Sequence, residues 1–495
     1  MRLAAPLALD ADVCSRACDA RDSRFDGLFF VAITSTRIYC RPVCPARVSH
    51  RDRRRFYPSA AAAEGAGYRP CMRCRPELAP GRAAVDAVPR LAEAAARRVE
   101  AGALNGRSVA DLAGEFDVSE RHLRRAFARE LGIAPIQLAL THRLLLAKRL
   151  LTDTRLSVTQ IAFASGFQSL RRFNAVFQER YRMPPSALRR PSPARATSQS
   201  DVRADLLRLT LGYRPPLAWD ALLSCFARDA IDGVDVLDGR RYGRTVSLDG
   251  CTGVIFAEDS AKERSPGTAH LDVDISLSLV PVLMPLLARL RHLFDLDAEP
   301  ATVDAHLGRE GLGEMVRCRP GIRVPGALGG FEAAFRALLG GWPDDRRPLD
   351  VGVARRVVST LGEPVECSAP GLERLLPTAE CVAARGSDAL VALGVPTLRA
   401  VQLAELAQAI HTGRISLERG AHSTDLVRAL LAIEGIGERL ATTIVMRASS
   451  WPDALSSSSG APSIAAWASH DGTFGAQAER WRPWSAYAAM HLWAR

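Results

Sequence analysis

Two closely spaced cysteine pairs constrain this chain more than any other feature of its sequence. Cys40 and Cys44 form the first pair, in IYCRPVC, and Cys71 and Cys74 form the second, in RPCMRCRPE. A tetrahedral Zn²⁺ site made of four thiolates typically takes its ligands from two such pairs joined by a loop. The segment therefore predicts a small domain folded around zinc held by these four cysteines. Disulfide pairing is the alternative that spacing alone leaves open.

Basic residues crowd the same segment. Its arginines are Arg37, Arg41, Arg47, Arg51, Arg53, Arg54, Arg55, Arg69, Arg73 and Arg75. Residues 1–200 contain 34 Lys+Arg and 18 Asp+Glu, a net charge of +16, whereas residues 201–495 contain 31 and 36, a net charge of −5. A cationic surface favours a phosphate backbone as partner. We therefore expect the first two hundred residues to bind nucleic acid.

The stretch from FDGLFFVAIT to Pro76 resembles the zinc domain of the Ada-type DNA-alkylation sensors. The resemblance implies that Cys40 takes a methyl group irreversibly from a methylphosphotriester in DNA, with the other three cysteines as companion ligands. Zinc keeps such sulfurs deprotonated, and a thiolate is the nucleophile that methyl transfer needs. Methylation also removes a negative charge, which would raise affinity for DNA. A purely structural zinc site is the alternative.

Length and cysteine usage limit the remaining possibilities. A chain of 495 residues can form three or four domains with separate cores. Eleven cysteines, an odd number, suggest a reducing compartment, and we read Cys14 and Cys18 as ordinary thiols. The apolar stretch Leu279–Leu296 is interrupted by Arg289 and Arg291, so no membrane span is expected. These features predict a cytoplasmic protein.

An internal repeat occupies much of 83–190, which is helical in pattern. SVADLAGEFDVSERHLRRAFARELG starts at Ser108, and SVTQIAFASGFQSLRRFNAVFQERY starts at Ser157. Each copy predicts a first helix (Val109–Glu115 and Val158–Ala164), a tight turn and a second helix capped by Ser119 or Ser169. The repeat therefore predicts two helix-turn-helix units.

The second helix of each unit is amphipathic. Leu123 and Phe127, and likewise Phe173 and Phe177, are spaced four apart and should face the core. The DNA-binding candidates on the opposite faces are Arg121, His122, Arg124, Arg125, Gln168, Arg171, Arg172 and Asn174. A merely solvated basic face is the alternative. The tandem repeat, closing with MPPSALRR, resembles AraC-type DNA-binding domains, which implies that both helices enter the major groove of promoter DNA.

The residue pattern changes from helical to mixed strand and helix after a Pro/Ser-rich linker at 191–205. Between 206 and 320, LRLTL, RTVSLDG, GVIFAE and LDVDISL predict strands, and Val280–Leu296 predicts a helix. From 321 to 495 the pattern is helical again. The sequence thus predicts a multidomain chain: a small zinc α/β domain (1–80), an all-α tandem helix-turn-helix (83–190), an α+β domain (206–320) and an all-α domain (321–495).

The last domain contains a helix-hairpin-helix pattern, LLAIEGIGERLA. Gly435 and Gly437 allow a tight backbone turn and leave amide groups free to face a phosphate. Together with GFEAAFRALLG and AERWRPWSAYAAMHLW, it resembles the AlkA-type 3-methyladenine DNA glycosylases, and 206–320 resembles their amino-terminal domain. The resemblance implies an enzyme that flips an alkylated base and hydrolyses its glycosidic bond.

The residues expected in the glycosylase site depart from the family pattern. No lysine follows Lys262, which excludes a Schiff-base mechanism. The family's catalytic aspartate aligns with Ser459, although Asp453 or Asp471 could replace it in a rearranged loop. In the base pocket, Arg439 occupies an apolar position and Trp493 matches a stacking residue. We therefore expect weak or absent base excision.

Other differences lie in the stretch after ALLG, where Gly341, Trp342, Pro343 and Asp344 replace the family's polar residues. No proline–cysteine–histidine motif of the O6-methylguanine methyltransferases occurs. The leading prediction is an alkylation-response protein that binds double-stranded DNA, both promoter and alkylated, and contacts RNA polymerase as an activator. Two alternatives remain: a transcription factor with structural zinc and a non-catalytic DNA-binding module, and a working glycosylase targeted to DNA by its amino-terminal domains.

Overall fold

A computed structural model describes residues 10–46, 49–81, 91–189, 205–259, 269–339, 350–366, 369–417, 423–449, 451–454 and 478–493. The first domain is a small four-stranded sheet flanked by two helices. Its helices are α1 (Ala11–Ala20) and α2 (Ala60–Gly65), and its strands are β1 (Phe30–Ile33), β2 (Ile38–Cys40), β3 (Arg54–Tyr57) and β4 (Arg69–Pro70). The strand order is β3-β1-β2-β4, and the β2–β4 pair is parallel.

The second domain consists of helices, as the repeat predicted. They are α3 (Leu91–Glu100), α4 (Val109–Gly114), α5 (Glu120–Glu130), α6 (Pro135–Asp153), α7 (Val158–Ala164), α8 (Leu170–Tyr181) and α9 (Pro185–Leu188). Ser119 and Ser169 cap α5 and α8 by accepting backbone N–H groups, which confirms both predicted starts. Leu123, Phe127 and Phe173 are fully buried, as the spacing predicted. The long helix α6 joins the two helix-turn-helix units.

The third domain has a five-stranded antiparallel sheet with helices packed beside it. Its strands are β5 (Leu206–Gly212), β6 (Asp235–Asp238), β7 (Arg241–Leu248), β8 (Cys251–Asp259) and β9 (His270–Ser276), in the order β5-β9-β8-β7-β6. Its helices are α10 (Trp219–Asp229), α11 (Leu283–Leu293), α12 (Pro300–Leu307) and α13 (Gly313–Cys318). The α+β class predicted for this region is confirmed.

The last domain is helical in the residues that the structure describes. Its helices are α14 (Gly330–Leu338), α15 (Val351–Leu361), α16 (Ala379–Ala392), α17 (Thr397–His411), α18 (Ser423–Leu431), α19 (Glu438–Ser449) and α20 (Ser485–Trp493). Helices α18 and α19 flank the predicted hairpin. Throughout the described ranges, no helix is both long and apolar enough to cross a bilayer.

Two details differ from the sequence prediction. The helix expected over Val280–Leu296 is shorter, because a 3₁₀ segment containing Pro281 precedes α11, which runs only from Leu283 to Leu293. Proline lacks the N–H that an α-helix interior needs. Strand β6 was not predicted, because its four residues, DVLD, are half polar. Arg47, Lys262, Ser459 and Asp471, the linker residues 191–204 and the stretch from Gly341 to Asp344 lie outside the described residues.

The domains share buried surface. The second helix-turn-helix unit and the antiparallel sheet contribute to one apolar cluster, in which Phe177 and Leu209 both take part. Leu145 of α6 packs instead among the aromatic residues of the zinc domain. The helix-turn-helix domain is therefore packed against both the zinc domain and the α+β domain.

Candidate zinc and DNA-binding sites

The pairing of two strands brings the predicted ligands together. In the parallel pair β2–β4, Ile38 lies opposite Arg69 and Tyr39 opposite Pro70, so the next residues on each strand are Cys40 and Cys71. Cys44 lies four residues after Cys40, and Cys74 lies three residues after Cys71. The four sulfur atoms all lie within 4.8 Å of one another. The sequence prediction of a four-cysteine zinc site is confirmed by this cluster.

The surroundings of the sulfurs suit bound thiolates. The backbone N–H of Arg41 donates to the sulfur of Cys74 over 3.3 Å, and that of Arg73 donates to the sulfur of Cys71 over 3.4 Å. Such outer hydrogen bonds stabilise the negative charge on a ligating sulfur. Cys71 and Cys74 are buried, whereas Cys40 and Cys44 are half-buried. The donor set fits Zn²⁺.

The arginines around the cluster divide into two groups. Arg41 forms an ion pair with Asp26, and Arg54, whose side chain is buried, pairs with Asp19. These guanidinium groups hold the domain together. The exposed ones are Arg37, Arg51, Arg53, Arg55 and Arg73. The cationic surface predicted from the sequence is therefore formed by about half of the arginines in the segment.

Cys14 and Cys18 lie behind the cluster on α1. Burial raises the pKa of Cys14 to about 11 and the pKa of Cys18 to about 12. Both groups are consequently protonated thiols at neutral pH, and a protonated thiol is a poor nucleophile and metal ligand. This agrees with their interpretation as ordinary thiols.

The second helices of the two helix-turn-helix units, α5 and α8, are called the recognition helices here. Their candidate DNA-binding residues are all exposed to solvent. Arg121, His122, Arg124 and Arg125 are exposed on α5, and Gln168, Arg171, Arg172 and Asn174 are exposed on α8 or just before it. Glu120 accepts from the Nε of Arg124 over 2.7 Å, an i,i+4 contact on an exposed face. The structure thus places every predicted residue where it can meet a duplex, and base contacts remain a prediction.

The hairpin between α18 and α19 has the expected turn. Gly435 has a φ of +77°, and a Cβ at this position would lie 2.5 Å from Nε2 of Gln402, so only glycine fits. Gly437 has open space around it. Ile436, between them, is buried in the core. The turn therefore presents exposed backbone on the outside and is fixed by apolar packing on the inside.

Comparisons with known proteins match this arrangement. Three family models fit the chain: the metal binding domain of Ada over residues 13–77, a helix-turn-helix domain over 112–191 and the AlkA N-terminal domain over 208–329. The "probable bifunctional transcriptional activator/DNA repair enzyme AlkA" of Mycobacterium tuberculosis is 32% identical over 489 residues, which cover 98% of this chain and 96% of the relative. The chain belongs to this family.

Shorter relatives match its two ends. The "DNA-3-methyladenine glycosylase 2" of Escherichia coli is 30% identical over 296 residues, covering 57% of this chain and 96% of that enzyme. The "bifunctional transcriptional activator/DNA repair enzyme Ada" of the same organism is 50% identical over 60 residues, covering 12% of this chain and 17% of that protein. This member of the bifunctional AlkA family therefore contains a region similar to nearly the whole glycosylase and a region similar to a short part of Ada.

In this AlkA-family chain, the carboxylate of Asp453 is committed to another contact. Its side chain is 1% exposed, and Nε of Arg482 donates to its Oδ2 over 2.9 Å. Replacement of the family's catalytic aspartate by Asp453 stays a prediction, and in the described residues this carboxylate is buried and paired with Arg482. Ser459 and Asp471 are outside the described residues.

The aromatic residues of the stretch AERWRPWSAYAAMHLW have different environments. Trp481 is fully buried and Tyr487 donates its hydroxyl to Asp295 over 2.8 Å, so both belong to the core. Trp493 is half-buried, with the guanidinium of Arg228 stacked 4.2 Å from its ring centroid. Arg439 is half-buried on α19. Arg439, Trp484 and Trp493 keep partly accessible side chains.

Two buried polar residues near the zinc site, Glu64 and Lys148, were not predicted from the sequence. Glu64 and Lys148 are 3% and 1% exposed, respectively. Burial raises the pKa of Glu64, although hydrogen bonds from Thr141 and Tyr39 oppose the shift. The one available signal was composition, because Lys148 is one of only two lysines in a chain rich in arginine.

Proposed function

We propose that this chain is a DNA-alkylation sensor in which Cys40 accepts a methyl group from a DNA methylphosphotriester. The carrying observation is the unequal hydrogen bonding of the four sulfurs. Cys71 and Cys74 accept the backbone N–H groups described above, whereas among the described residues no such bond is found to the sulfur of Cys40 or Cys44. Hydrogen bonding makes a thiolate less basic and less nucleophilic, so Cys40 and Cys44 are the more reactive ligands. Of these two, Cys40 is the one that matches the methyl acceptor of the Ada-type sensors.

The transfer itself is a simple displacement. When bound, zinc keeps the sulfurs as thiolates at neutral pH. The Sγ electron pair of Cys40 forms a bond to the methyl carbon while the carbon–oxygen bond of the triester breaks. Those electrons stay on the phosphate oxygen, which restores an ordinary phosphodiester. No second reactant is needed, and the thioether formed is stable, so each chain reacts once.

Methylation then changes how the cationic surface meets DNA. A cluster of four thiolates around Zn²⁺ carries two net negative charges, and a thioether in place of one thiolate leaves one. Phosphate is repelled less, so affinity for DNA rises. We infer that the exposed residues of α5 and α8 then hold promoter DNA and that the chain activates transcription with RNA polymerase in the cytoplasm.

The carboxyl-terminal half serves, in this proposal, to bind alkylated DNA with little base excision. Asp453 is paired with Arg482, and Ser459 provides no charge at the aligned catalytic position. Hydrolysis through an oxocarbenium-like state needs a nearby carboxylate. The exposed backbone at Gly435 and Gly437 still offers phosphate contacts without one.

Mass spectrometry of the intact chain tests the sensor proposal. Incubation with a duplex carrying one methylphosphotriester should add about 14 Da, located on Cys40 by peptide mapping. Cys14→Ser is a matched control, because Cys14 is buried and protonated, and it should gain the same mass. Cys40→Ser should gain none. A mass gain on Cys44, or none in the parent, would overturn the assignment.

A further inference from the structure

One face of helix α6 is docked onto the zinc domain. Thr141, Leu145, Lys148 and Thr152 follow one another at spacings of four, three and four residues, which places them in one stripe along the helix. The first three are 1%, 8% and 1% exposed. This stripe, named the docking stripe here, is polar at three of its four positions, which is unusual for a buried helix face.

The lysine of the docking stripe contacts the backbone of one zinc ligand. Nζ of Lys148 donates to the carbonyl of Cys71, one of the four ligands, over 3.2 Å. It also forms an ion pair of 2.5 Å with Glu77, whose side chain is likewise 1% exposed. A buried, paired ammonium group therefore connects the backbone of a ligand to α6.

Other stripe contacts involve neighbours of the remaining ligands. Thr141 donates to Glu64 over 2.9 Å, and the same carboxylate accepts from Tyr39, which precedes Cys40, over 3.1 Å. Arg75, which follows Cys74, donates to Thr152 over 3.1 Å. The docking stripe thus contacts Cys71 itself and residues adjacent to two more ligands.

Helix α6 connects the zinc domain to the recognition helices α5 and α8. Helix α6 joins the unit containing α5 to the unit containing α8. Arg180, in the last turn of α8, donates to the backbone carbonyl of Glu64 over 3.0 Å. A shift of α6 relative to the zinc domain would therefore move both DNA-binding helices.

We propose that Lys148 is a positioning residue that couples the charge of the four-cysteine cluster to the placement of the two recognition helices. The inference rests on the proposed sensor function. With four thiolates, the cluster attracts the Lys148 ammonium group and holds α6 in the arrangement described. Conversion of Cys40 to a thioether removes one negative charge and weakens that attraction. The ammonium group of Lys148 then interacts relatively more strongly with Glu77 than with the cluster. Part of the gain in DNA affinity then arises through α6 rather than from reduced repulsion of phosphate alone.

A double substitution, Lys148→Met with Glu77→Gln, tests the coupling in the full zinc-loaded chain. Replacing both partners avoids leaving one buried charge alone. The control is Arg355→Met with Asp232→Asn, which removes an exposed ion pair and, like the double variant, leaves the net charge unchanged. Each protein is methylated with the triester duplex, and its affinity for one fixed mixed-sequence duplex is measured before and after.

The double variant should still gain about 14 Da and keep its zinc, because Cys40 and its co-ligands are intact. Its methylation-dependent gain in affinity should be smaller than that of the parent by about fivefold or more, the usual scale of a coupling between sites. The control should gain as much as the parent. A change that was only structural would lower both affinities equally and leave the ratio unchanged.

Equal gains in parent and double variant would overturn the coupling and leave the sensor function standing. A parent that gains no mass or no affinity would overturn the sensor function instead. If the double variant does not fold, amide hydrogen exchange of the parent, measured before and after methylation, tests the coupling instead. Amides of α6 should exchange faster after methylation, and unchanged exchange along α6 would overturn the inference.

Discussion

At the scale of single residues, the side chains next to the zinc ligands show why spacing alone cannot assign roles. Arg41 and Arg73 look equivalent in the sequence, each directly following or preceding a cysteine of the cluster. In the structure, Arg41 is paired with Asp26 while Arg73 is exposed. Their backbone N–H groups have the more direct effect, because they donate to two sulfurs and leave Cys40 without such a donor.

Ser459, which aligns with the family's catalytic aspartate, gives the first prediction. Ser459→Asp should increase the release of 3-methyladenine from alkylated DNA by at least about tenfold over the parent, because a carboxylate stabilises charge developing on the sugar. Base release measured by chromatography checks this. Asp453→Ala is the companion variant. A high parental activity that disappears in Asp453→Ala would show that the carboxylate was misassigned.

Asp295 gives a pH-dependent prediction. Burial raises the pKa of Asp295 to about 6, despite the hydroxyl donated by Tyr487. A carboxyl whose pKa is raised on folding stabilises the fold when protonated, so its contribution is fully present below about pH 4 and is lost as pH rises through about 6. The free energy of unfolding of the parent, minus that of Asp295→Asn, should fall by about 2–3 kcal/mol between pH 4 and pH 7.5. Urea unfolding of both proteins at each pH measures it, and a constant difference would contradict it.

At the scale of elements, helix α8 separates residues that fold the domain from residues that bind DNA. Phe173→Ala should destabilise the domain by about 3–5 kcal/mol, because Phe173 is fully buried. Arg172→Ala, one position away and exposed, should change stability by less than about 0.5 kcal/mol. It should reduce the slope of log affinity against log salt concentration by about one, as expected for the loss of one phosphate contact. Denaturation and binding titrations test both, and loss of stability in Arg172→Ala would contradict the assignment.

Local sequence signals predicted the helices and the zinc ligands, whereas contacts between distant segments were not predicted. Apolar spacing and serine caps located α5 and α8, and cysteine spacing located the zinc ligands, because these signals are local. The parallel pairing of β2 and β4 that brings Cys40 beside Cys71 was not predicted, since it joins residues about thirty apart through only two strand positions. The contact of Lys148 with Cys71 could not be predicted either, because nothing in helix periodicity specifies which domain covers a face.

At the scale of the whole molecule, Arg214 connects the zinc domain to the α+β domain. Its side chain is 2% exposed, and its guanidinium donates to the backbone carbonyls of Asp26 (3.1 Å), Gly81 (2.5 Å) and Asp297 (3.0 Å). Arg323 in turn donates to the carbonyl of Arg214 over 2.9 Å. Since Asp26 also pairs with Arg41, a continuous polar path runs from the zinc site into the carboxyl-terminal half.

Substitution at this junction should weaken the association of the domains. Arg214→Met leaves one buried and two partly buried carbonyls without their donor and should lower the free energy of unfolding by about 2–4 kcal/mol. Arg355→Met is the matched control, because the side chain of Arg355 is 69% exposed and its contact with Asp232 spans 3.7 Å. The control should stay within about 0.5 kcal/mol of the parent. Equal stability of both variants in chemical denaturation would show that the junction contributes little.

The most direct test of the account compares DNA binding by the unmethylated chain and by the chain methylated at Cys40, titrated against the same duplex over a series of salt concentrations. Removal of one negative charge beside the cationic surface predicts tighter binding by the methylated chain throughout, with the largest difference at low salt. Identical affinities of the two forms across the series would contradict it.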